Sequence, residues 1–284
     1  MEIIKTTSAL RAAVRKARDA GLTIGLVPTM GYLHEGHLSL MRRARKENDL
    51  VVATVFVNPT QFGPNEDLDA YPRNPKHDMA LMQSEQVDIA FMPETAELYP
   101  DGFATYVEVE GPMTQVLCGA SRPNHFRGVT TIVAKLFHLA APHRAYFGRK
   151  DAQQVAVIRK MARDLDFDLQ VVVCPTVRES DGLAMSSRNS YLSDRQRMDA
   201  VVISQSLFEA RDMITKGEQY AQNVIDHIRS RISAVEQAEI DYVAAVDTDT
   251  LADIDILAGR VLIAVAVNLG GTRLIDNIDI DLSV

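Results

Sequence analysis

The sequence predicts an α/β protein with a parallel-sheet N-terminal domain and a smaller α+β C-terminal domain, and three observations predict it. Over the first 175 residues, short β-branched runs alternate with amphipathic segments, the pattern of βαβ units around a parallel sheet. After Arg188 two long helical stretches precede three strand-like runs, an α+β order. The length, 284 residues, exceeds the usual single-domain size but falls short of three domains. A Rossmann-like domain at 1–175 and a smaller domain at 176–284 follow.

Strands are expected at 24–28, 50–58, 88–92, around Tyr146 and at 169–174, each a β-branched or apolar run of strand length. Helices are expected at 8–20, 36–47, 75–86, 129–140 and 151–165, where apolar residues recur at helical spacing. The stretch 106–110 alternates and reads as an edge or excursion strand outside the parallel core. In the second domain, helices at 193–214 and 221–235 lead into strands beginning near Ile240, Arg260 and Thr272. The Gly270-Gly271 pair suits a hairpin turn between the last two. The junction at 175–190, rich in charged and small residues, reads as a linker that carries function and lets the smaller domain act as a lid.

Composition narrows the function. Apolar residues make up 46% and charged residues 24%, with no low-complexity tract, as in an ordinary globular protein. The formal net charge of −8 disfavours nucleic acid and anionic membrane as partners, since both need a basic face. Cys118 and Cys174 lie far apart and in no CxxC pair, so neither a disulfide framework nor a structural zinc site is expected and a reducing cytoplasm fits. The first residues alternate charge with apolar side chains, and no apolar window reaches about 18 residues, so neither export nor membrane insertion is expected.

The chemistry concentrates in three segments. The first, VPTMGYLHEGHL at 27–38, follows the first expected strand of the parallel core and opens a helix. Ligands of open parallel sheets lie beyond the strands' carboxyl ends, and a helix N-terminus offers unpaired backbone N–H groups to an anion. Gly31 and Gly36 have P-loop spacing, but His37 and Leu38 stand where that motif needs Lys and Ser/Thr. What remains is an HxGH pattern. His34 and His37, three residues apart, can face one side of the first turn and donate to a triphosphate, with Gly36 leaving space beside it. The plainer alternative is that one imidazole caps the helix and the other is merely exposed; a metal site lacks a third ligand cluster. The second segment, FGRKD at 147–151, repeats the strand-to-helix placement, with Lys150 as a point charge on phosphate and Asp151 as a cap or partner of a neighbouring cation; an ordinary surface turn with a routine cap is the plainer alternative. The third, MSSR at 185–188, offers two hydroxyls and a guanidinium as a phosphate clamp between the domains.

An early HxGH and a late Ser/Arg loop together resemble the nucleotidyltransferase superfamily that includes class I aminoacyl-tRNA synthetases. The resemblance is closer still to the pantothenate synthetase family. PTMGYLHEGH at 28–37, FVNPTQF at 56–62, YPR at 71–73, RPNHFRGVTTIVAKLF at 122–137, FGRKDAQQ at 147–154 and DGLAMSSRNSYL at 181–192 match it in order and spacing. RLIDN at 273–277 carries the match to the end of the chain.

That resemblance implies an AMP-forming ligase acting through pantoyl adenylate, with ATP, (R)-pantoate and β-alanine as substrates, magnesium accompanying the triphosphate, no protein-held metal, and a homodimer. It implies ATP contacts from Met30, Gly31, Tyr32, Leu33, His34, Glu35, Gly36 and His37. Gly148, Arg149, Lys150 and Asp151 would join them, as would Val177 at adenine and Met185, Ser186, Ser187 and Arg188. His37, His34, Lys150 and Arg188 would be the catalytic set, and Gln61 and Gln154 would hold pantoate. Arg149 stands where relatives often carry Glu or Gln, and Ser190 where Gly is common. The competing classes are an adenylyltransferase that stops at its adenylylated product, a tRNA-binding protein, and a nucleotide sensor; acidic stretches such as 247–255 disfavour RNA.

Overall fold

The computed structural model describes residues 1–64 and 66–283, which divide into two compact units. The first comprises 1–109, 122–149 and 157–175; the second comprises 110–121, 150–156 and 176–284.

The first unit is built on a six-stranded parallel sheet. In chain order its elements are β1 (Glu2–Ile4), α1 (Thr7–Asp19), β2 (Ile24–Thr29), α2 (Glu35–Glu47), β3 (Leu50–Val55), α3 (Pro75–Ser84), β4 (Ile89–Phe91) and α4 (Thr95–Leu98). After α5 (Cys118–Ser121), which groups with the second unit, come α6 (His125–Ala140), β5 (Arg144–Gly148), α7 (Ala152–Asp164) and β6 (Gln170–Cys174). The strand order is β1-β4-β3-β2-β5-β6. The chain runs outward from β2 to β3 and β4 on one side and from β5 to β6 on the other, so direction reverses between β2 and β5. These two strands pair in parallel, Gly25 with Arg144 and Leu26 with Ala145. Such a switch point opens a crevice at the strands' carboxyl ends, where the 30–37 segment leaves β2 and where β5 ends at Gly148.

The helices follow their apolar spacing. Leu10, Val14 and Ala17 line the buried stripe of α1, and Thr6 caps it by accepting the Ala9 N–H. Val27, Met41, Ala44, Val51, Ala53, Met82, Ala90 and Tyr146 form one core cluster. Tyr146 is fully buried and donates to Glu47 (2.9 Å) while accepting from Asn48 (2.7 Å). Helix α6 begins at His125, one turn earlier than its apolar run, and is buried on nearly every side.

One sequence expectation for this unit needs correction, and one element was not expected. Residues 106–110 form no strand. Their backbone hangs instead on hydroxyls of α6: Val107 N donates to Thr131 Oγ1 (3.0 Å) and Thr130 Oγ1 donates to Val107 O (2.6 Å). The alternating pattern is satisfied by a helix surface, without a ladder. Conversely β1, three residues long, has too little pattern to be read locally and exists through pairing with β4.

The second unit centres on an antiparallel sheet of β7 (Ala238–Asp247), β8 (Gly259–Leu269) and β9 (Thr272–Leu282). Alternate residues separate its faces. Val261, Ile263, Val265 and Val267 pack with α9 (Val201–Thr215) and α10 (Ala221–Ser233), whereas Leu262 and Ala264 pack with Leu117, Ala152 and Ala156. The second face is thus covered by the 110–121 segment and the first turn of α7, far away in sequence. The Gly270-Gly271 turn forms as expected, with φ of 56° and 90°. The stretch expected as one helix at 193–214 is two, α8 (Asp194–Asp199) and α9, meeting at Ala200. A reciprocal Ser193/Gln196 capping box starts α8. Among the described residues no helix is long and apolar enough to cross a membrane.

Candidate active site

In the first unit, β2 delivers the chain into the 30–33 turn, where Gly31 and Tyr32 take positive φ of 83° and 50°. The turn is pinned by Asp78 of α3, a carboxylate only 1% exposed that accepts the backbone N–H of Tyr32 (3.0 Å) and Leu33 (2.8 Å). A side chain on Gly31 would meet Asp78 Oδ2 at 3.0 Å and Val55 at 2.8 Å, so the close fit requires glycine.

His34 then caps α2. Its Nδ1 accepts the Gly36 N–H (3.1 Å), and His37 Nδ1 accepts the His34 N–H (3.3 Å), a reciprocal capping box built from two imidazoles. The rings lie 4.1 Å apart. An Nδ1 that accepts a hydrogen bond puts the proton of the neutral ring on Nε2. Both histidines therefore carry their N–H on the same ring atom. The two sequence alternatives, cap and ligand donor, are compatible, because each ring caps with one nitrogen and carries its proton on the other. Glu35, by contrast, commits its carboxylate to Arg42 (2.7 Å), whose hydrogen bond, outweighing the effect of burial, holds Glu35 below the usual range.

Gln61 lies nearby on a 3-10 turn, Pro59–Gln61, and donates from Nε2 to Met30 Sδ (3.1 Å). Its orientation is fixed by Asn58, only 1% exposed. Asn58 Oδ1 accepts from Tyr99 Oη (2.8 Å) and Thr60 Oγ1 (2.9 Å), so its Nδ2 donates to Gln61 Oε1 (3.0 Å) and Gly128 O (3.1 Å). Gln61 Oε1 is thereby an acceptor inside the network and Nε2 is its donor toward Met30. Burial pushes Tyr99 up to about 12, which keeps its phenol a donor. Gly128 lets α6 approach so closely that a Cβ there would sit 2.3 Å from Thr60 O.

His125 steadies the same turn. Its Nδ1 must donate to the Gln61 carbonyl (2.8 Å), and Arg122 donates to its Nε2 (3.0 Å). Arg122 also pairs with Glu66 (2.6 Å). Burial raises the Glu66 pKa, but the Arg122 hydrogen bond and charge outweigh it and the carboxyl ends below its usual value. A depressed carboxyl pKa contributes stability that is present above the unfolded value, about 4.3, and lost as pH falls through the folded one. Thermal melts between about pH 7 and pH 3 are expected to show Glu66→Gln less stable than the parent at neutral pH, the gap closing on acidification.

In the second unit, the candidate residues occupy two segments. Lys150 and Asp151 stand just before α7, the ammonium 3.9 Å from the carboxylate, and the Lys150 carbonyl accepts from Asn277 Nδ2 (2.9 Å). The adjacent glutamines differ in role. Gln153 is buried and spent on structure, donating to Met113 O (2.9 Å) and Val116 O (2.8 Å) and accepting from Cys118 N (2.9 Å). Gln154 is half-buried.

The 175–190 junction is more ordered than a linker. Arg178 and Ala184 form an antiparallel bridge, and Val177 O accepts from Met185 N (3.0 Å). Arg178 grips Asp276 (2.6 and 3.0 Å), and Arg197 grips Asp181 (2.7 and 3.1 Å). Ser186 caps the 3-10 turn Ser187–Tyr191 by accepting from Arg188 N (3.3 Å). Ser190 keeps an ordinary φ and donates to Ser187 O (2.7 Å), so the serine at this position needs no glycine-like backbone.

The sequence singled out the segments but not their supports. Asn58, Asp78, Tyr99, His125 and Asp276 were unassigned. Asp78 left one readable signal, an acid at the inward i, i+4 position before Met82. Among the described residues no group of three or more His, Cys, Asp or Glu side chains could hold a metal ion.

Comparison with known proteins accords with this architecture. The family model for pantoate-beta-alanine ligase matches residues 2–279. A pantothenate synthetase of Acetivibrio thermocellus is 57% identical over 281 residues, 99% of this chain and 100% of that protein. One from Moorella thermoacetica is 54% identical, covering all of both chains. The crystal structure of pantothenate synthetase from Thermus thermophilus superposes with a TM-score of 0.94 at 47% identity, over 98% of this chain and 99% of that one. That of the pantoate-beta-alanine ligase from Francisella tularensis, complexed with beta-gamma ATP and beta-alanine, gives 0.79 at 33% identity, over 98% and 97%. With a switch-point HxGH turn and similarity along its whole length, the chain is an enzyme of the pantoate-beta-alanine ligase family.

Proposed function

We propose that the chain condenses (R)-pantoate with β-alanine at the expense of ATP, through pantoyl adenylate. In the first step a pantoate carboxylate oxygen attacks the α-phosphorus of ATP, and the bond to the β-phosphate oxygen breaks with its electron pair leaving on pyrophosphate. In the second the amine of β-alanine attacks the acyl carbon, the carbon–oxygen bond to AMP breaks, and the nitrogen gives up a proton, leaving pantothenate. The relative from Francisella tularensis, complexed with beta-gamma ATP and beta-alanine, supports two of the three substrates.

The observation that carries this reading is the double-imidazole cap of α2. Two Nε2–H donors fixed on one helical turn suit charge that develops on departing pyrophosphate, because donors already oriented need no reorganisation at the transition state. We assign that task to His37 and His34, and a triphosphate-binding role to Lys150 and to Arg188. Met30 to Leu33 and Gly148 to Arg149 would line the nucleotide. Asp151, Val177, Met185, Ser186 and Ser187 would complete its contacts. Gln61, its amide oriented by Asn58, and Gln154 would hold the pantoate oxygens.

Magnesium would accompany the triphosphate as part of the substrate, as the family resemblance implies. Bound there it would neutralise phosphate charge. A homodimer is proposed from the family resemblance, with sedimentation as its test, and a cytoplasmic location from the cysteine usage.

The reaction order is testable directly. Labelled pyrophosphate is expected to exchange into ATP when pantoate and magnesium are present and β-alanine is absent. Exchange without pantoate would sink the assigned acid. Synthesis of pantothenate without any exchange would sink the adenylate.

A further inference from the structure

Two adjacent residues of β9 join the segments that the proposed function assigns to the nucleotide in the second unit. Asp276 and Asn277 pair with Val265 and Ala264 of β8, in a ladder that is regular along the whole of β9. Successive side chains on a strand point to opposite faces, and here each face meets a different segment. Asp276, 3% exposed, accepts both guanidinium nitrogens of Arg178, and its Oδ1 also accepts the Asn277 N–H (2.7 Å). Arg178 is itself fixed by donating to Gly182 O (3.0 Å) and by lying 4.9 Å from the centre of the Phe208 ring. The hairpin based on Arg178 returns through Ala184 to Met185, the residue that opens the Ser186-Ser187-Arg188 turn. On the other face, Asn277 is 5% exposed and donates to the Lys150 carbonyl (2.9 Å).

We propose that Asp276 and Asn277 are a positioning pair that holds Lys150 and the 185–188 turn at a fixed separation. The proposal rests on the reading of those segments as triphosphate ligands. Its physical basis is the stiffness of the connection: neighbouring Cα atoms are about 3.8 Å apart, and β9, though at the sheet edge, is paired with β8 along its whole length, so a shift in register would turn its side chains to the wrong faces. A Lys ammonium and an Arg guanidinium reach opposite oxygens of one triphosphate only if their backbones keep their spacing. Small misplacements of such groups are costly, roughly 100-fold in rate for about 1 Å. Neither residue of the pair touches substrate; each acts through another.

The test is a double-mutant cycle on the full-length protein, read by pyrophosphate exchange with pantoate and by calorimetric ATP binding. Asn277→Ala and Asp276→Asn are each expected to lower exchange roughly 10- to 100-fold. In a Lys150→Ala background, Asn277→Ala should cost almost nothing further, because the ammonium it positions is already gone, and in Arg188→Ala, Asp276→Asn should cost clearly less than in the parent, because only the serines of the turn remain to be misplaced. Arg178→Lys, which keeps the charge but loses the two-pronged geometry, supplies a milder variant should Asp276→Asn fail to fold. Losses that multiply in those backgrounds, or single variants with parental exchange, would overturn the proposal. A parent that binds ATP but does not exchange pyrophosphate would refute the adenylate reading alone, and the same cycle read as ATP affinity would still decide the pair. A parent that binds no ATP would overturn both.

Discussion

Replacing His37 with alanine is expected to slow formation of pantoyl adenylate by about 100-fold or more while ATP affinity changes far less. A donor aimed at charge that appears only as pyrophosphate departs acts in the transition state, and loss of one such donor typically costs about that much. The structure adds a second consequence. His37 Nδ1 accepts the His34 N–H, so alanine also removes half of the capping box and leaves that amide without its acceptor. Caps of this kind contribute about 1 kcal/mol, so a modest fall in melting temperature should accompany the catalytic loss. His37→Asn, whose amide oxygen can accept in place of Nδ1, should restore the cap more than the chemistry. Single-turnover adenylate formation and thermal melts on the three proteins separate the effects. An unchanged single-turnover rate in His37→Ala would remove the residue from the mechanism.

Replacing Asp78 with alanine is expected to damage both stability and the first half-reaction, although the residue lies in no segment assigned to the nucleotide. Its carboxylate accepts two backbone N–H groups, from Tyr32 and Leu33, inside a buried setting. Stranding buried donors costs about 1–3 kcal/mol each. The turn they belong to already holds Tyr32 at a positive φ, which a side-chain-bearing residue tolerates only under restraint, at about 1–2 kcal/mol. Freed of Asp78, the turn should relax and carry His34 out of line. Asp78→Ala is therefore expected to unfold at a lower denaturant concentration, its stability reduced by about 2–5 kcal/mol, and to lose pyrophosphate exchange beyond what the unfolded fraction explains. Asp78→Asn keeps an acceptor for one of the two amides and should fall between. An Asp78→Ala protein of parental stability and exchange rate would show that the turn holds itself.

How far these outcomes could be anticipated differs by element. The β2-to-α2 turn was readable because its chemistry is local: strand, glycine, histidine and helix follow one another closely in the chain, and the periodicity that marks the strand and the helix needs no tertiary partner. The same holds for the FGRKD segment and for the Gly270-Gly271 hairpin. Residues 106–110 misled, because alternation identifies a chain with two kinds of neighbour on its two sides. It does not say whether those neighbours are strands or the Thr130 and Thr131 hydroxyls of a helix. The 175–190 stretch, read as a linker that carries function, holds more structure than its composition shows, because Arg178 is spent on Asp276 and Asp181 on Arg197.

The sequence by itself determined the α/β then α+β order, the three chemistry-bearing segments, and a family resemblance that whole-length similarity confirmed. Those follow from short-range pattern and from ordered motifs. Only the tertiary structure decided which residues support them. Asp78 reaches the 30–33 turn from 45 residues away, Asn277 reaches Lys150 from 127, and residues 110–121 cover a sheet face whose strands begin at Ala238. Each of these contacts satisfies a buried polar group or apolar face with a partner distant in the chain. Burial demands that such a partner exist, but only the packed fold says which one it is.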